Sequence, residues 1–263
     1  MVFCRFRKLD MSIVRIFSLI LVLTATNFAV AQSYEEYLAS ASAGDAEAQY
    51  SLGFLYENGF GVEQNPVEAV SWYLAAAEQG HASAQANLGV MYEQGRGVAQ
   101  DYSESVRWYR LAVEQDLGIA QYNLGVAYMR GRGVEEDDRQ AVEWFIKAAN
   151  QDVIGAQFNL ALMYYRGTGI EGDSVEAIGW FRKAAGQGDA ESMYNLALFI
   201  NGGIAVPMDK VRAYAWMVLA RSLGSNEALQ NIQSLEAELS AEQISEGQTM
   251  AIKCLESNFQ ECE

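Results

Sequence analysis

Several residue types that build common functional sites are rare in this chain of 263 residues. It contains one histidine, two prolines and three cysteines, and its Lys and Arg residues number 18 against 34 Asp and Glu. The single histidine, His81, rules out a His-based metal cluster and the two-histidine zinc motif of metalloproteases. It stands at the start of a helix, in the repeat position also held by Asp45 and Asp189, which predicts a surface turn residue. With so little proline and an apolar content of 51%, the sequence favours a folded protein over a disordered one.

Basic residues are also too sparse to bind nucleic acid. The formal net charge is −16, and Lys and Arg do not cluster, so phosphate groups would find no positive surface. We therefore expect no nucleic acid partner. The acidic balance favours a basic protein partner that associates faster at low salt, or it serves only solubility, and both interpretations stay open.

Signatures of catalysis and cofactor binding are missing or misplaced. Neither Ser-x-x-Lys nor Gly-x-Ser-x-Gly occurs, so the serine acylation motifs are absent. Residues 167–172 match G-x-G-x-x-G, but that motif binds dinucleotides only between a strand and a helix, and here it lies in a repeat loop. The acidic run 135–138 lacks the alternating spacing of a calcium loop. We predict no catalytic residue, no cofactor and no metal, and hence a protein that is not an enzyme.

The N-terminus has the pattern of an export signal. Four basic residues precede or open an apolar run over 16–25, and Ala29-Val30-Ala31 supplies small residues for cleavage. We predict a signal peptide over 1–31 and a periplasmic or secreted protein, with Met11 as an alternative start and an uncleaved anchor as the other outcome. A helix that spans a membrane needs about 20 apolar residues, and this run is shorter. Cleavage removes four basic residues and one acidic residue, which brings the net charge to about −19.

Two cysteines remain after such a cleavage, Cys254 and Cys262. The exported compartment permits disulfides. On a straight helix eight residues rise about 12 Å, too far for a disulfide, so pairing requires residues 255–261 to bend back. We predict an intrachain disulfide, with free thiols or an intermolecular bond as the alternatives.

An internal repeat organises the rest of the chain. Several columns of residues recur at an interval of 36 residues, which indicates stacked supersecondary units. These columns are Trp72, Trp108, Trp144, Trp180 and Trp216; Leu52, Leu88, Leu124, Leu160 and Leu196; and the glycines Gly59, Gly95, Gly131, Gly167 and Gly203.

Each unit is predicted to be a hairpin of two helices. Apolar residues at i, i+4, i+7 and i+8 from Ala48 mark an amphipathic first helix, which Gly59 ends. Asn65 then caps a second helix, with Pro66 at its first position and Glu68 completing a capping box. The tryptophan column on the second helix is predicted to lie in the core. The later units repeat the cap with Asp101, Asp137, Asp173 and Asp209.

The two ends continue the pattern in altered form. Residues 32–45 align with the second half of a unit and predict an N-terminal capping helix. Residues 226–263 predict C-terminal capping helices, the last of which opens with a capping box of Ser240 and Gln243. Because no linker or change of composition interrupts residues 32–263, we predict one domain.

These residues resemble the Sel1-like repeat family, relatives of the tetratricopeptide repeats. The second unit shows the pattern as Ala84, Leu88-Gly89, Tyr92, Gly95-Arg96-Gly97-Val98 and Trp108-Tyr109, and the resemblance covers five units over 46–225. The fifth is weaker, with Ile200 and Ala205 at the tyrosine and second glycine positions. The resemblance implies an all-α, right-handed α/α solenoid with a concave face.

In function, the resemblance implies an exported protein-interaction scaffold or adaptor in the bacterial cell envelope. The alternatives are a periplasmic regulator that binds a sensor kinase ectodomain, or an envelope hydrolase. One branch of the family, with paired cysteines in every repeat, is linked to β-lactam hydrolysis. The five units here contain no cysteine, so that activity is not carried over.

The resemblance also places the first helices on the concave face, where two columns are candidate partner contacts. Asparagines beside aromatic rings can hydrogen-bond an extended peptide while the rings receive its side chains. The competing hypothesis, which we favour, is that both columns pack between units. The candidate contacts are Tyr50, Asn87, Tyr122, Asn123, Phe158, Asn159, Tyr194 and Asn195.

Overall fold

A computed structural model of the chain describes residues 34–259 and Cys262. Within those residues the secondary structure is helical and includes no strand. The chain divides between Leu111 and Ala112, inside one helix, into two compact units of several repeats each, the first unit and the second unit. None of the described helices is both long and apolar enough to cross a bilayer. The predicted signal peptide, 1–31, lies outside the described residues.

The first unit contains two helical hairpins preceded by a helix. Helix α1 covers residues 34–42, and α2 (Ala46–Asn58) pairs with α3 (Pro66–Glu78), which packs against α4 (Ala82–Gln94). Helix α5 (Tyr102–Val113) follows, and its last two residues belong to the second unit. Leu52, Tyr73, Leu88 and Met91 form the interior and are fully buried.

The second unit repeats the hairpin three times and ends in two further helices. The hairpins pair α6 (Gly118–Arg130) with α7 (Asp138–Ala149), α8 (Ile154–Arg166) with α9 (Ser174–Ala185), and α10 (Ala190–Gly202) with α11 (Lys210–Ser222). Helices α12 (Ala228–Glu236) and α13 (Ala241–Glu256) then pack on α11. Leu160, Phe181 and Leu196 are fully buried in this unit.

Glycines end each first helix, as predicted. Gly59, Gly95, Gly131, Gly167 and Gly203 adopt left-handed conformations with φ between 61° and 71°. The second loop glycine has a separate role, because a Cβ at Gly97 would overlap the carbonyl of Pro66 and one at Gly169 would overlap that of Asp138. In the fifth hairpin Ala205 takes this position and keeps the left-handed φ of 58°.

At the start of α3 the predicted side-chain cap is present, but the predicted capping box is not. The Asn65 side chain accepts hydrogen bonds from the N–H groups of Val67 and Glu68, at 3.2 and 3.3 Å. However, the Asn65 N–H donates to the carbonyl of Tyr56 (2.9 Å), so the predicted capping box with the Glu68 side chain is wrong. The hairpin turn brings this otherwise unpaired carbonyl of the first helix into reach. The capping box of Ser240 with Gln243 is confirmed.

The prediction that the whole tryptophan column is buried is also wrong in part. Trp108 and Trp216 are buried, but Trp72, Trp144 and Trp180 are only half-buried. The fully buried rings belong to the next residue in the chain, because small residues on the first helix make room for them. The ring of Tyr73, for example, lies where a Cβ at Gly53 would be. The four rings of this kind are those of Tyr73, Tyr109, Phe145 and Phe181.

The C-terminal tail bends back on α13. Cys254 and Cys262 lie within disulfide-bonding distance, with their Cα atoms 4.5 Å apart. Asn258 and Phe259 adopt left-handed φ angles of 51° and 65°, which reverse the chain direction, and the Phe259 N–H donates to the Cys254 carbonyl at 2.8 Å. The Phe259 ring lies against Gly188, in the turn between α9 and α10.

Candidate protein-binding surface

The predicted aromatic contacts lie on the first helices, half-buried, and each packs inside its own unit. In the first unit the Tyr50 ring stacks on His81 at 4.6 Å and contacts Tyr73 at 5.8 Å. In the second unit Tyr122 packs on Phe145 at 5.9 Å, and the hydroxyl of Tyr194 accepts a hydrogen bond from Asn231 at 3.2 Å. These rings therefore contribute to packing, and their exposed edges remain available to a partner.

Phe158 belongs to the same column and leads to a line of aromatic rings. It contacts Phe181 at 5.9 Å, Phe181 contacts Phe199 at 5.6 Å, and Phe199 contacts Tyr165 at 4.9 Å. All three contacts are edge-to-face, an arrangement that aromatic pairs prefer. Tyr165 is 48% exposed. The line of packed rings therefore reaches the protein surface at Tyr165, on α8.

The predicted asparagines are half-buried as well. Asn195 donates from its side chain to the carbonyl of Glu191, one turn earlier in its own helix, at 2.8 Å. Burial raises the pKa of Tyr50, and a hydrogen bond from Asn87 acts in the opposite direction. The remaining members, Asn123 and Asn159, occupy the equivalent places on α6 and α8.

Glutamines, which are not among the predicted contacts, make buried side-chain hydrogen bonds between helices. The buried Gln157 donates to the carbonyl of Ala149 at 3.2 Å and accepts from Gln187 at 2.8 Å. In the first unit Gln49 makes the same pair of bonds with Ala41 and Gln79, at 3.1 and 2.7 Å. The available signal was a column of glutamines at intervals of 36 residues, namely Gln49, Gln85, Gln121 and Gln157. These amides join successive helices and are too buried to contact a partner.

A second column, which is not among the predicted contacts, is apolar and only partly buried. Phe54 is 42% exposed and packs against the exposed Phe60 at 5.8 Å. The equivalent residues of the other hairpins are half-buried. They are Val90, Val126, Leu162 and Leu198, and each lies three residues after a predicted asparagine. On a helix that spacing places both on one side, so each first helix presents an amide next to an apolar side chain.

A polar network lies on the first helices of the first unit. The Tyr73 hydroxyl donates to Oε2 of Glu57 at 2.6 Å, and the Arg96 guanidinium forms an ion pair with Oε1 of the same carboxylate. The Tyr109 hydroxyl donates to Glu93 at 2.9 Å. Burial, followed by the hydrogen bond to Glu57, raises the pKa of Tyr73 well above its ordinary value. These phenols therefore stay protonated and act as donors.

His81, predicted to be a surface turn residue, has a more definite role. Its Nδ1 accepts from the N–H of Ala84 at 3.1 Å and so caps α4, while Nε2 lies 3.0 Å from a carboxylate oxygen of Glu47. Asp45 and Asp189 cap α2 and α10 at the equivalent positions. Over residues 34–259 and Cys262, no three His, Cys, Asp or Glu side chains come together in a way that could hold a metal ion.

These elements define a class of protein, the tandem repeat of helical hairpins. The chain belongs to the Sel1 repeat family: the family model matches residues 46–81, 82–117, 118–153, 154–189 and 190–225. Proteins of this family are generally protein–protein interaction scaffolds and are typically not enzymes. No protein with a curated description matches the chain.

Two solved structures support the assignment. One is c5321, a protective antigen present in uropathogenic Escherichia coli strains, which is 34% identical over 84% of this chain with a TM-score of 0.76. The alignment spans 50% of c5321, about half its length. The other is a Sel1 repeat protein from Oxalobacter formigenes, 31% identical over 79% of this chain and 85% of its own, with a TM-score of 0.69.

Proposed function

We propose that this protein is an exported scaffold of the bacterial cell envelope that binds other proteins through its first helices. The binding side is the one that carries the half-buried asparagine and apolar columns. The carrying observation is the line of rings that ends at Tyr165. A half-exposed aromatic side chain that is held by a packed core loses little conformational freedom on binding, which is the character of an interface anchor. Phe158, Leu162, Tyr194 and Leu198 are half-buried on the same two helices, α8 and α10.

Three observations support the envelope location. The first residues have the basic, apolar and small-residue pattern of a signal peptide. Cys254 and Cys262 lie at disulfide-bonding distance, and disulfides persist in exported compartments. The relative c5321 is a protective antigen present in uropathogenic Escherichia coli strains.

The test is capture of partners from a bacterial envelope extract. The full chain, expressed with its own N-terminus and a C-terminal affinity tag, is recovered from the envelope fraction, and its new N-terminus is sequenced. Bound proteins are then identified by mass spectrometry at low and moderate salt. Several assembly components would support the scaffold, whereas one sensor ectodomain at fixed stoichiometry would replace it with the regulator.

A matched pair of variants ties any captured partner to the proposed surface. Tyr165→Ser removes the exposed anchor, and Val175→Ser removes an apolar side chain that is 66% exposed on α9 of the same unit. We expect the partner to be lost from the first variant and retained by the second. Equal retention by both would overturn the assignment of this surface, and recovery of an unprocessed chain from the cytoplasm would overturn the exported location.

A further inference from the structure

An open pocket with aromatic and acidic walls lies beside α1 in the first unit. Its volume is about 840 Å³, and it is bounded by α1, the loop between α2 and α3, and the start of α3. Three aromatic rings and three carboxylates give it its character. They belong to Tyr34, Tyr56 and Trp72 and to Glu35, Glu63 and Glu68.

The aromatic side is fixed in place. The Tyr34 and Tyr56 hydroxyls share a hydrogen bond of 2.9 Å, and their rings meet edge to face with centroids 6.3 Å apart. That hydrogen bond and burial raise the pKa of Tyr56 to about 12, and Glu68 adds to the rise. Trp72 and Leu38 pack together against the core around Leu52. The rings are thus supported from behind.

The acidic side has no basic residue to balance it. The three glutamates are exposed, and no lysine or arginine is among the described residues that line the pocket. Two arginines of the first unit are engaged elsewhere, since Arg96 pairs with Glu57 and Arg107 pairs with Glu104. The pocket therefore carries about three negative charges in a small space, which attracts a cation.

In three other repeats a basic side chain lies over the tryptophan equivalent to Trp72. Arg107 lies over the ring of Trp108 at 4.3 Å, Lys147 over Trp144 at 4.1 Å, and Lys183 over Trp180 at 3.9 Å. These cations come from the residue before the tryptophan or from the third residue after it. At Trp72 the same two positions are Ser71 and Ala75, which carry no charge.

We infer that this acidic aromatic pocket binds the guanidinium of an arginine side chain supplied by a protein partner. A guanidinium stacks on aromatic rings and forms paired hydrogen bonds with carboxylates, and the pocket offers both groups. The inference rests on the proposed binding function, which it deepens by giving the partner a chemistry. It also assigns a binding role to part of the acidic surface.

The probe is the capped tripeptide acetyl-Gly-Arg-Gly-amide, titrated into the isotope-labelled full chain. Binding is followed through the indole N–H signal of Trp72 in proton–nitrogen correlation spectra, assigned with Trp72→Phe. The matched probe replaces arginine by citrulline, which has nearly the same shape and no charge. We expect a saturable shift of the Trp72 signal with the arginine peptide and a shift at least tenfold weaker with the citrulline peptide.

The matched protein variants are two triple substitutions of equal charge. Glu35→Gln, Glu63→Gln and Glu68→Gln neutralise the pocket, whereas Glu135→Gln, Glu136→Gln and Glu171→Gln neutralise three exposed glutamates of the second unit. We expect the affinity for the arginine peptide to fall at least tenfold in the first variant and by less than twofold in the second.

Three results would overturn the inference: no Trp72 shift with the arginine peptide, equal shifts with both peptides, or equal losses in both triple variants. The comparison of peptides on the unaltered protein remains decisive even if a triple variant is poorly folded. The titration does not involve any captured partner, so its failure is separate from a failure of the envelope capture experiment.

Discussion

The Tyr73 hydroxyl and the Glu57 carboxylate join α3 to α2 by a hydrogen bond of 2.6 Å. The second hairpin repeats the pair with Tyr109 and Glu93 at 2.9 Å. In the third hairpin phenylalanine and methionine take these two positions, as Phe145 and Met129. In the fourth hairpin the positions are held by Phe181 and Tyr165. The hydroxyl is thus present in these four hairpins only where a carboxylate can accept from it. A buried hydroxyl without an acceptor would be costly.

Loss of this hydroxyl is expected to destabilise the protein. Tyr73→Phe removes a hydrogen bond to a charged and largely buried carboxylate, a bond that contributes about 1.5–3 kcal/mol. The reverse change, Phe145→Tyr, introduces a hydroxyl next to Met129 and is also expected to destabilise, until Met129→Glu is added. Urea unfolding followed by circular dichroism measures the stability of the unaltered protein and of the three variants. A fully stable Phe145→Tyr variant would contradict the pairing.

The second loop glycine is predicted to be more sensitive than a glycine that needs only its φ angle. Gly97→Ala places a Cβ against the backbone of Pro66, whereas Gly80→Ala, also at positive φ, meets no atom within 4 Å. The left-handed conformation alone costs about 1–2 kcal/mol for alanine. We therefore expect Gly80→Ala to cost about that much and Gly97→Ala clearly more. Similar melting temperatures for the two variants would show that the contact with Pro66 is unimportant.

Neighbouring aromatic residues on α7 should differ in their effect on stability. Phe145 is fully buried, so Phe145→Ala is expected to cost about 3–5 kcal/mol. Trp144 is half-buried beneath Lys147, so Trp144→Ala should cost less even though it deletes the larger ring. Thermal unfolding of the two variants gives the order directly. The opposite order would mean that the tryptophan column forms the core after all.

The tail cysteines are predicted to form a disulfide in the exported protein. Mass spectrometry without reductant should detect a peptide that joins Cys254 to Cys262. Cys262→Ser leaves the buried Cys254 in place and should cost about 2–3 kcal/mol, the amount expected for a short closed loop. Reduction of the unaltered protein provides the control, because it should lower the melting temperature to that of the variant. A fully reduced native protein would refute the prediction.

Alkaline pH should weaken the contact between α1 and α2. The pKa of Tyr56, about 12, lies above its ordinary value of 10, so its protonated form is favoured in the folded state. The stabilisation is complete below pH 10 and is lost as the pH rises towards 12. Tyr34→Phe removes the main cause and should shift ionisation of one tyrosine to lower pH. Near-ultraviolet absorbance of tyrosinate measures this, with circular dichroism to verify that the chain is still folded.

Local sequence patterns were enough to predict the repeat, the helical hairpins, the glycines that end the first helices and the residues that cap the second ones. All of these depend on local backbone preferences, and a fixed interval makes them visible five times over. The capping box of Ser240 with Gln243 belongs to this group, because its two residues are three positions apart.

Packing between helices selects which of two neighbouring aromatic residues enters the core. Trp72 and Tyr73 are both large and apolar, and their side chains differ in direction by about 100° around the helix axis. The sequence pattern is therefore compatible with burial of either side chain. The choice follows from Gly53 on another helix, which leaves room for the Tyr73 ring. The N–H of Asn65 likewise has its partner on the preceding helix, at Tyr56. The acidic aromatic pocket depends on α1 as well as the first hairpin, and a periodic sequence pattern shows equivalent positions without showing which of them meet.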